Sequence, residues 1–128
     1  MAELKKILYV EDEPDIQEVA IEAMTALGGF EIKACSNGKE ALAACAGFGP
    51  DLILMDVMMP EMDGPTTLKS LKADGATSSI PVIFMTAKVQ SHEVEEYKKQ
   101  GVVDVIKKPF DVMTLSDQIK DIWAKSGN

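Results

Sequence analysis

The sequence predicts an α/β domain in which helices cover both faces of a doubly wound, parallel, five-stranded sheet. Two observations predict this class. Apolar runs of strand length alternate with amphipathic segments of helical length along the whole chain, and this alternation is typical of βα units. Several of the apolar runs are nearly continuous, which is typical of strands that are buried on both faces. We therefore expect five βα units in one (βα)5 architecture.

The first unit and the second strand are predicted from periodicity. The run "KILYV" at 6–10 predicts the first strand, and apolar residues at spacings of three and four predict a helix over 15–27. The two glycines at 28–29 are expected to end this helix. The segment "FEIKAC" at 30–35 alternates apolar and polar residues. Such alternation predicts a second strand with one less buried face, near an edge of the sheet.

The middle of the chain contains two helices around a fully apolar strand. The segment "SNG" at 36–38 is expected to cap a short helix through Ala46, and Gly47 is expected to break it. "DLILMD" at 51–56 predicts the third strand. The next helix is predicted to open at Asp63 and to run to residue 73.

The last two units follow the same pattern. "IPVIFMT" at 80–86 predicts the fourth strand, and "VDVIK" at 103–107 predicts the fifth. Ser91 is expected to cap a helix to residue 100, which Gly101 ends. Asp111 is expected to cap a last helix to about residue 125, with apolar residues from Val112 onward on one face.

Length and charge restrict the possible functions. A chain of 128 residues fits one domain, which we expect to span 1–128 with its core at 6–123. The formal net charge is -8, and an acidic surface is repelled by nucleic-acid phosphates and by anionic lipid. We therefore expect no direct nucleic-acid partner and no membrane partner.

The amino-terminal segment and the cysteines bear on the compartment. The apolar run at 7–10 is too short for a signal-peptide core or a membrane span. Cys35 and Cys45 have neither metal-site spacing nor the pattern of a disulfide framework, so we expect a reducing compartment and reduced thiols. A cytoplasmic location is the resulting expectation.

Polar residues stand where four of the predicted strands end. Glu11 and Asp12 follow the first strand, Asp56 ends the third, Thr86 ends the fourth, and Lys108 follows the fifth. In a parallel sheet of this class, ligands bind beyond the carboxyl ends of the strands. We therefore expect these five side chains to lie on one rim of the molecule.

The chemistry of the rim residues points to phosphoryl transfer. Crowded carboxylates repel one another, and Mg²⁺, which prefers oxygen ligands, would relieve that repulsion. A lysine and a threonine hydroxyl can bind phosphate oxygens, and aspartate can act as a nucleophile that forms an aspartyl phosphate. Asp56 is therefore predicted to be a phosphoryl acceptor, with a metal ion, Lys108 and Thr86 around it.

A family resemblance rests on four segments at the ends of the predicted strands. In chain order, the segments are "ILYVEDEP", "DLILMDVMMPEMDG", "PVIFMTA" and "KKPF". With these segments in order, the chain resembles a CheY-like response regulator receiver domain from Lys6 to about Trp123. The resemblance implies a flavodoxin/CheY-like fold and a role in two-component or phosphorelay signal transduction. It implies a signalling phosphoacceptor with intrinsic autophosphorylation and autodephosphorylation chemistry, not an enzyme in the ordinary sense.

The resemblance also implies a role for each rim residue. Asp56 would be the phosphorylation site, Lys108 would hold the phosphoryl group, and Thr86 would be the switch hydroxyl that moves toward it. The Lys108–Pro109 peptide bond would be cis. The implied metal is Mg²⁺ or Mn²⁺, and its implied ligands are Asp12, Asp56, the backbone carbonyl of Met58 and, through water, Glu11.

The implied partners are other proteins. A histidine kinase or a histidine phosphotransfer protein would donate the phosphoryl group. A downstream target would recognise a surface made of the fourth helix, the fifth strand and the fifth helix, roughly 90–124. The chain would act as a monomer or as a phosphorylation-dependent dimer.

Three residues depart from the pattern of many receivers. Val105 occupies a position that is often aromatic, so we expect switching to use backbone shifts of the loop after the fourth strand, or Phe110 or Tyr97. Met58 and Lys88 flank the site where the family tunes hydrolysis by positioning water. Because Met58 is apolar and bulky and Lys88 is cationic, we predict slow self-dephosphorylation.

Other functional classes fit the sequence less well. A flavodoxin-like electron carrier would need a phosphate-binding loop after the first strand, but "EDEPDIQ" there is acidic. An aspartate-nucleophile phosphatase would need a second Asp two residues after Asp56, and Met58 occupies that position. The remaining alternative is a pseudo-receiver, a protein-interaction module that works without phosphorylation.

Overall fold

The computed structural model describes residues 3–126 and contains one sheet of five parallel strands in the order β2-β1-β3-β4-β5. The strands are β1 (Lys6–Val10), β2 (Glu31–Cys35), β3 (Leu52–Asp56), β4 (Val82–Thr86) and β5 (Asp104–Lys107). The helices are α1 (Pro14–Ala26), α2 (Gly38–Phe48), α3 (Gly64–Ala73), α4 (Ser91–Gln100) and α5 (Leu115–Lys125). The predicted fold class and the (βα)5 order are confirmed.

Side chains that alternate along the strands build a separate core on each face of the sheet. On one face, Leu8 and Val10 of β1 lie with Ala41 of α2 and Leu68 of α3. On the opposite face lie β1, α1 and α5 side chains, which include Ile7, Tyr9, Met24, Ile119 and Trp123. The sheet is therefore covered on both sides, as the apolar runs of β1, β3 and β4 predicted. β2 is an edge strand with alternating exposure, also as predicted.

Two of the predicted N-caps are confirmed. The Asn37 side chain accepts a hydrogen bond from the Glu40 amide at 2.9 Å, at the start of α2. The Asp63 side chain accepts from the Thr66 amide at 2.8 Å, at the start of α3. Each carboxylate or amide oxygen thus satisfies one of the first backbone N–H groups of its helix.

The prediction that Asp111 caps α5 is wrong, because the helix begins four residues later, at Leu115. Asp111 instead closes a turn ahead of the helix. Its side chain accepts from the Met113 amide at 2.8 Å, and its carbonyl accepts from the amides of Thr114 and Leu115. Val112, which was assigned to the apolar face of the helix, therefore lies in this turn and is exposed.

The boundaries of α2 and α4 also differ from the predictions. α2 continues through Gly47 to Phe48 and ends at Gly49, which has a left-handed φ of 66° and donates to the Cys45 carbonyl. A helix tolerates a single glycine, whereas a left-handed position favours one. The N-cap of α4 is Gln90, not Ser91, and its amide donates to the Glu93 side chain at 3.2 Å.

Two further observations concern the thiols and the length of the helices. Cys35 and Cys45 are both buried and free of disulfides. Within residues 3–126, no helix is long and apolar enough to cross a membrane.

Candidate functional site

The sheet brings the predicted rim residues together at the carboxyl ends of its central strands. Asp56 ends β3, Thr86 ends the neighbouring β4, and Glu11 directly follows β1 on the other side of β3. Glu11, Asp56 and Thr86 are buried, whereas Asp12 is half-buried. One carboxylate oxygen each from Glu11, Asp12 and Asp56 lies within 4.8 Å of the others.

Lys108 joins two of these carboxylates. Its ammonium Nζ donates to Glu11 Oε1 at 2.7 Å and to Asp56 Oδ2 at 3.1 Å. The lysine side chain is 17% exposed, so this ion-pair network is largely shielded from water. Burial alone would lower the pKa of Lys108, but the hydrogen bonds to Glu11 and Asp56 outweigh that effect and raise it. Lys108 is therefore a cation at neutral pH.

The charge balance of the site suits a divalent cation. Three carboxylates face one ammonium group, so the cluster carries excess negative charge in a buried setting. Burial raises the pKa of Glu11, and the Lys108 ammonium opposes this effect. Oxygen donors in such a cluster are those that Mg²⁺ and Mn²⁺ prefer. The residues present therefore fit the metal that the sequence predicted.

The backbone after β3 shapes the surroundings of Asp56. The Met58 amide donates to Asp56 Oδ1 at 3.3 Å, while the Met58 side chain is 72% exposed beside the site. Gly64 packs so closely that a Cβ there would lie 2.9 Å from Val57 Cα and 3.0 Å from the Asp56 carbonyl oxygen. Only glycine fits this approach of α3 to the end of β3.

Thr86 is held by contacts from two directions. The Lys88 amide donates to Thr86 Oγ1 at 3.1 Å, and the Lys108 amide donates to the Thr86 carbonyl at 2.9 Å. The Lys108–Pro109 bond is cis, as predicted. One backbone hydrogen bond therefore joins the two residues that are predicted to bind phosphate, between the end of β4 and the turn after β5.

Two features of the site were not predicted from the sequence. The first is that Glu11 is fully buried and pairs directly with Lys108. Its carboxylate also accepts from the Glu13 amide at 3.3 Å. The buried Tyr9 hydroxyl has no hydrogen-bond partner among the described residues. Burial raises the pKa of Tyr9, and the charges of Glu11 and Asp56 act in the same direction.

The position of Tyr9 beside the site could not be predicted, because a tyrosine in the run "KILYV" fits any strand. The direct pairing of Glu11 with Lys108 could not be predicted either, because the two residues lie 97 positions apart in the sequence.

Comparisons with known proteins agree with this geometry. The family model of the response regulator receiver domain matches residues 7–120. Protein PilH of Pseudomonas aeruginosa is 34% identical over 121 residues, which cover 94% of this chain and 99% of PilH. The regulatory protein AtoC of Escherichia coli is 38% identical over 116 residues, which cover 91% of this chain and 24% of AtoC. The structure of the chemotaxis response regulator CheY4 of Vibrio cholerae superposes with a TM-score of 0.85 at 26% identity, over 94% of this chain and 99% of CheY4.

The chain thus spans about a quarter of the length of AtoC and nearly all of PilH. The family match includes all five rim residues, from Glu11 to Lys108, and all five strands except Lys6 at the start of β1. This chain therefore belongs to the response regulator receiver domain family and is homologous to the regulators of two-component signalling.

Proposed function

We propose that Asp56 accepts a phosphoryl group in a metal-dependent reaction and that this modification switches a protein-interaction surface made of α4, β5 and α5. One observation carries the proposal. The buried carboxylates of Glu11 and Asp56 share the Lys108 ammonium, next to the half-buried Asp12. A merely structural ion pair would not need a third carboxylate within 4.8 Å.

The proposed reaction is an in-line displacement at phosphorus. A carboxylate oxygen of Asp56 forms the new O–P bond while the bond from phosphorus to the donor breaks, and the electron pair leaves with the donor. Lys108 stabilises negative charge on the phosphoryl oxygens. When bound, Mg²⁺ would neutralise further charge on these oxygens, held by Asp12, Asp56 and the Met58 carbonyl, with Glu11 acting through water.

The proposed switch follows from the charge that the phosphoryl group adds. The phosphoryl group of an aspartyl phosphate carries close to two negative charges and three strong acceptor oxygens. In the unmodified chain, Lys108 is bound to Glu11 and Asp56, and the Thr86 hydroxyl accepts from the Lys88 amide. Donation from Lys108 and Thr86 to the phosphoryl group would favour a second conformation and shift the population toward it.

The proposed partners follow from this chemistry. A histidine kinase or histidine phosphotransfer protein supplies the phosphoryl group. A downstream target protein binds the surface of α4, β5 and α5 in its switched conformation. We propose that the chain works in the cytoplasm as a single receiver domain over 1–128, as a monomer or a phosphorylation-dependent dimer. Autophosphorylation from small donors and autodephosphorylation belong to the same proposal.

Intact-mass measurement tests the phosphoacceptor directly. The chain is incubated with Mg²⁺ and acetyl phosphate, beside an Asp56→Asn variant and a sample with excess chelator. We expect the mass of one phosphoryl group to appear in the wild-type chain with Mg²⁺, and neither in the Asp56→Asn variant nor in the sample with chelator. An Asp117→Asn variant, which removes an exposed carboxylate in the first turn of α5, is the matched control and should be modified like the wild type.

The opposite result has a definite meaning. If the wild-type chain takes up no phosphoryl group, and beryllofluoride with Mg²⁺ leaves its spectra unchanged, the proposal is wrong. The chain would then be a pseudo-receiver whose acidic rim serves binding alone.

A further inference from the structure

We propose that Gln17 of α1 is a positioning residue for the divalent cation, because its side chain holds the backbone from which Asp12 projects. The inference deepens the proposed function and rests on the metal binding that belongs to it. Three structural observations support it: the two hydrogen bonds of the Gln17 side chain, the peptide group that these bonds fix, and the lack of any other contact that holds Asp12.

The Gln17 side chain joins the ends of two neighbouring strands. Its Nε2 donates to the Glu11 carbonyl at 3.0 Å and to the Cys35 carbonyl at 3.2 Å. Glu11 directly follows β1, and Cys35 is the last residue of β2. A side-chain amide nitrogen has two N–H donors, so one glutamine can satisfy both carbonyls, whereas a carboxylate or an apolar side chain could satisfy neither. Gln17 therefore ties α1 to both strand ends.

One of these bonds fixes the peptide group that leads to Asp12. The Glu11 amide donates to the Cys35 carbonyl at 3.0 Å, which extends the contact between β1 and β2 by one residue. The Glu11 carbonyl, which accepts from Gln17, belongs to the planar peptide group between Glu11 and Asp12. The Gln17 bond therefore sets the orientation of that plane, and with it the direction in which the chain enters Asp12.

Asp12 has no comparable support from its own side chain. Among residues 3–126, its carboxylate has no hydrogen-bond or ion-pair partner, although one of its oxygens lies within 4.8 Å of oxygens of Glu11 and Asp56. Repulsion from these two carboxylates opposes its position when no cation is bound. The position of Asp12 therefore depends on the backbone of the short connection 11–13 between β1 and α1.

Loss of the Gln17 donor would release this connection. Asp12 could then turn away from Glu11 and Asp56, and cation binding would have to restore the order of the backbone, which weakens affinity. Removal of a group that orients metal ligands from outside the coordination sphere typically weakens metal binding by about tenfold to 100-fold. Because Gln17 acts through the backbone, we expect an effect near the lower end of that range.

A Mg²⁺ titration of the full chain without phosphoryl donor tests this role, with the amide NMR signals of residues 11–13 and 57–58 as the report of binding. A Gln17→Met variant keeps the length of the side chain but has no donor, so we expect its Kd for Mg²⁺ to rise about tenfold. Gln17→Leu is the second variant and should behave alike. Urea denaturation in chelator measures stability separately. A merely structural role would lower stability and leave the Kd of the folded chain unchanged.

Gln118→Met is the matched control, because the exposed Gln118 amide donates to Thr114 Oγ1 and not to the connection 11–13. Its Kd for Mg²⁺ should equal that of wild type. Phosphoryl uptake by wild type from acetyl phosphate is measured in parallel. If the folded Gln17 variants bind Mg²⁺ as tightly as wild type, or if Gln118→Met weakens binding equally, the Gln17 inference is wrong while the proposed function stands. A wild type that binds Mg²⁺ but takes up no phosphoryl group contradicts the proposed function alone, and one whose rim signals do not respond to Mg²⁺ contradicts both.

Discussion

At the scale of single residues, Lys108 compensates the charge of the carboxylates in the absence of metal. Removing one partner of a buried ion pair leaves an uncompensated buried charge, which costs about 3–5 kcal/mol. Because Lys108 is partly exposed, we expect Lys108→Met to lower the free energy of unfolding toward the lower end of that range. Urea denaturation in chelator measures this loss, and added Mg²⁺ should recover much of it.

Lys107→Met is the matched control for this experiment. Lys107 is the preceding residue in the chain, but it is exposed at the end of β5, so its removal should change stability little. Equal destabilisation by both variants would mean that the ion pairs of Lys108 do not stabilise the fold.

Two residues at the rim are predicted to control how long the phosphoryl group persists. Met58 exposes an apolar side chain beside Asp56, and Lys88 is an exposed cation two residues after Thr86. Neither can orient an attacking water as an amide or carboxylate could. We expect Met58→Asn or Lys88→Glu to shorten the phosphoprotein lifetime about tenfold, which is about 1.4 kcal/mol in barrier height. An unchanged decay of the phosphorylated mass would contradict slow self-dephosphorylation as explained here.

The buried thiols predict a dependence of stability on alkaline pH. Burial raises the pKa of Cys35 and Cys45 above the ordinary value of 9.0. The folded chain therefore holds these protons more tightly than the unfolded chain, so this contribution is complete below about pH 9 and is lost as pH rises further. Urea denaturation should show this decline in wild type and a smaller one in a Cys35→Ala/Cys45→Ala variant. Identical slopes would exclude the thiols as its source.

At the scale of elements, the start of α3 sets the shape of the site. A Cβ at Gly64 would collide with backbone atoms of Val57 and Asp56, which cannot move aside as a side chain could. We expect Gly64→Ala to destabilise the fold by about 1–3 kcal/mol and to slow phosphoryl uptake at Asp56. Gly75→Ala, at a position with no neighbouring atom within 4 Å, should do neither. Thermal unfolding and intact mass report the two effects separately.

The helix ends show which local features the sequence predicts and which it does not. Asn37 and Asp63 were predictable caps, because a short polar side chain there satisfies the first amides of a helix. Asp111 has the same local appearance, yet its turn closes before the helix starts. An Asp can form a turn or a helix cap with similar local hydrogen bonds. Leu115, where α5 begins, is fully buried, and such long-range packing is not evident from the local sequence around Asp111.

At the scale of the whole molecule, the parallel topology explains why most of the site was predictable. Residues that end or follow adjacent strands converge on one edge, so Glu11, Asp56 and Thr86 could be assigned to one rim without coordinates. The pairing within the rim was not predictable, because it depends on side-chain rotamers. The direct contact of Lys108 with Glu11 belongs to this second class.

Metal binding is predicted to stabilise the entire fold. A ligand that binds only the folded state adds about 2.7 kcal/mol to the free energy of unfolding at a free concentration of 100 times its Kd. The carboxylates of the cluster come from β3 and from the turn after β1, so they exist as one site only when the sheet is intact. We expect Mg²⁺ to raise the thermal midpoint of wild type, and to raise that of an Asp12→Asn variant much less. Equal shifts would place the metal elsewhere.

The absence of fully buried side chains in α4 has a consequence for how this molecule can diversify. Substitutions at most positions of that helix leave the hydrophobic core unchanged, so they are nearly neutral for folding. Recognition residues on α4 can therefore change during evolution without a loss of stability, provided that Tyr97, which packs against the core, is kept. Duplicated copies of such a chain could acquire different partner proteins through this one helix. The site at the carboxyl ends of the strands would stay the same.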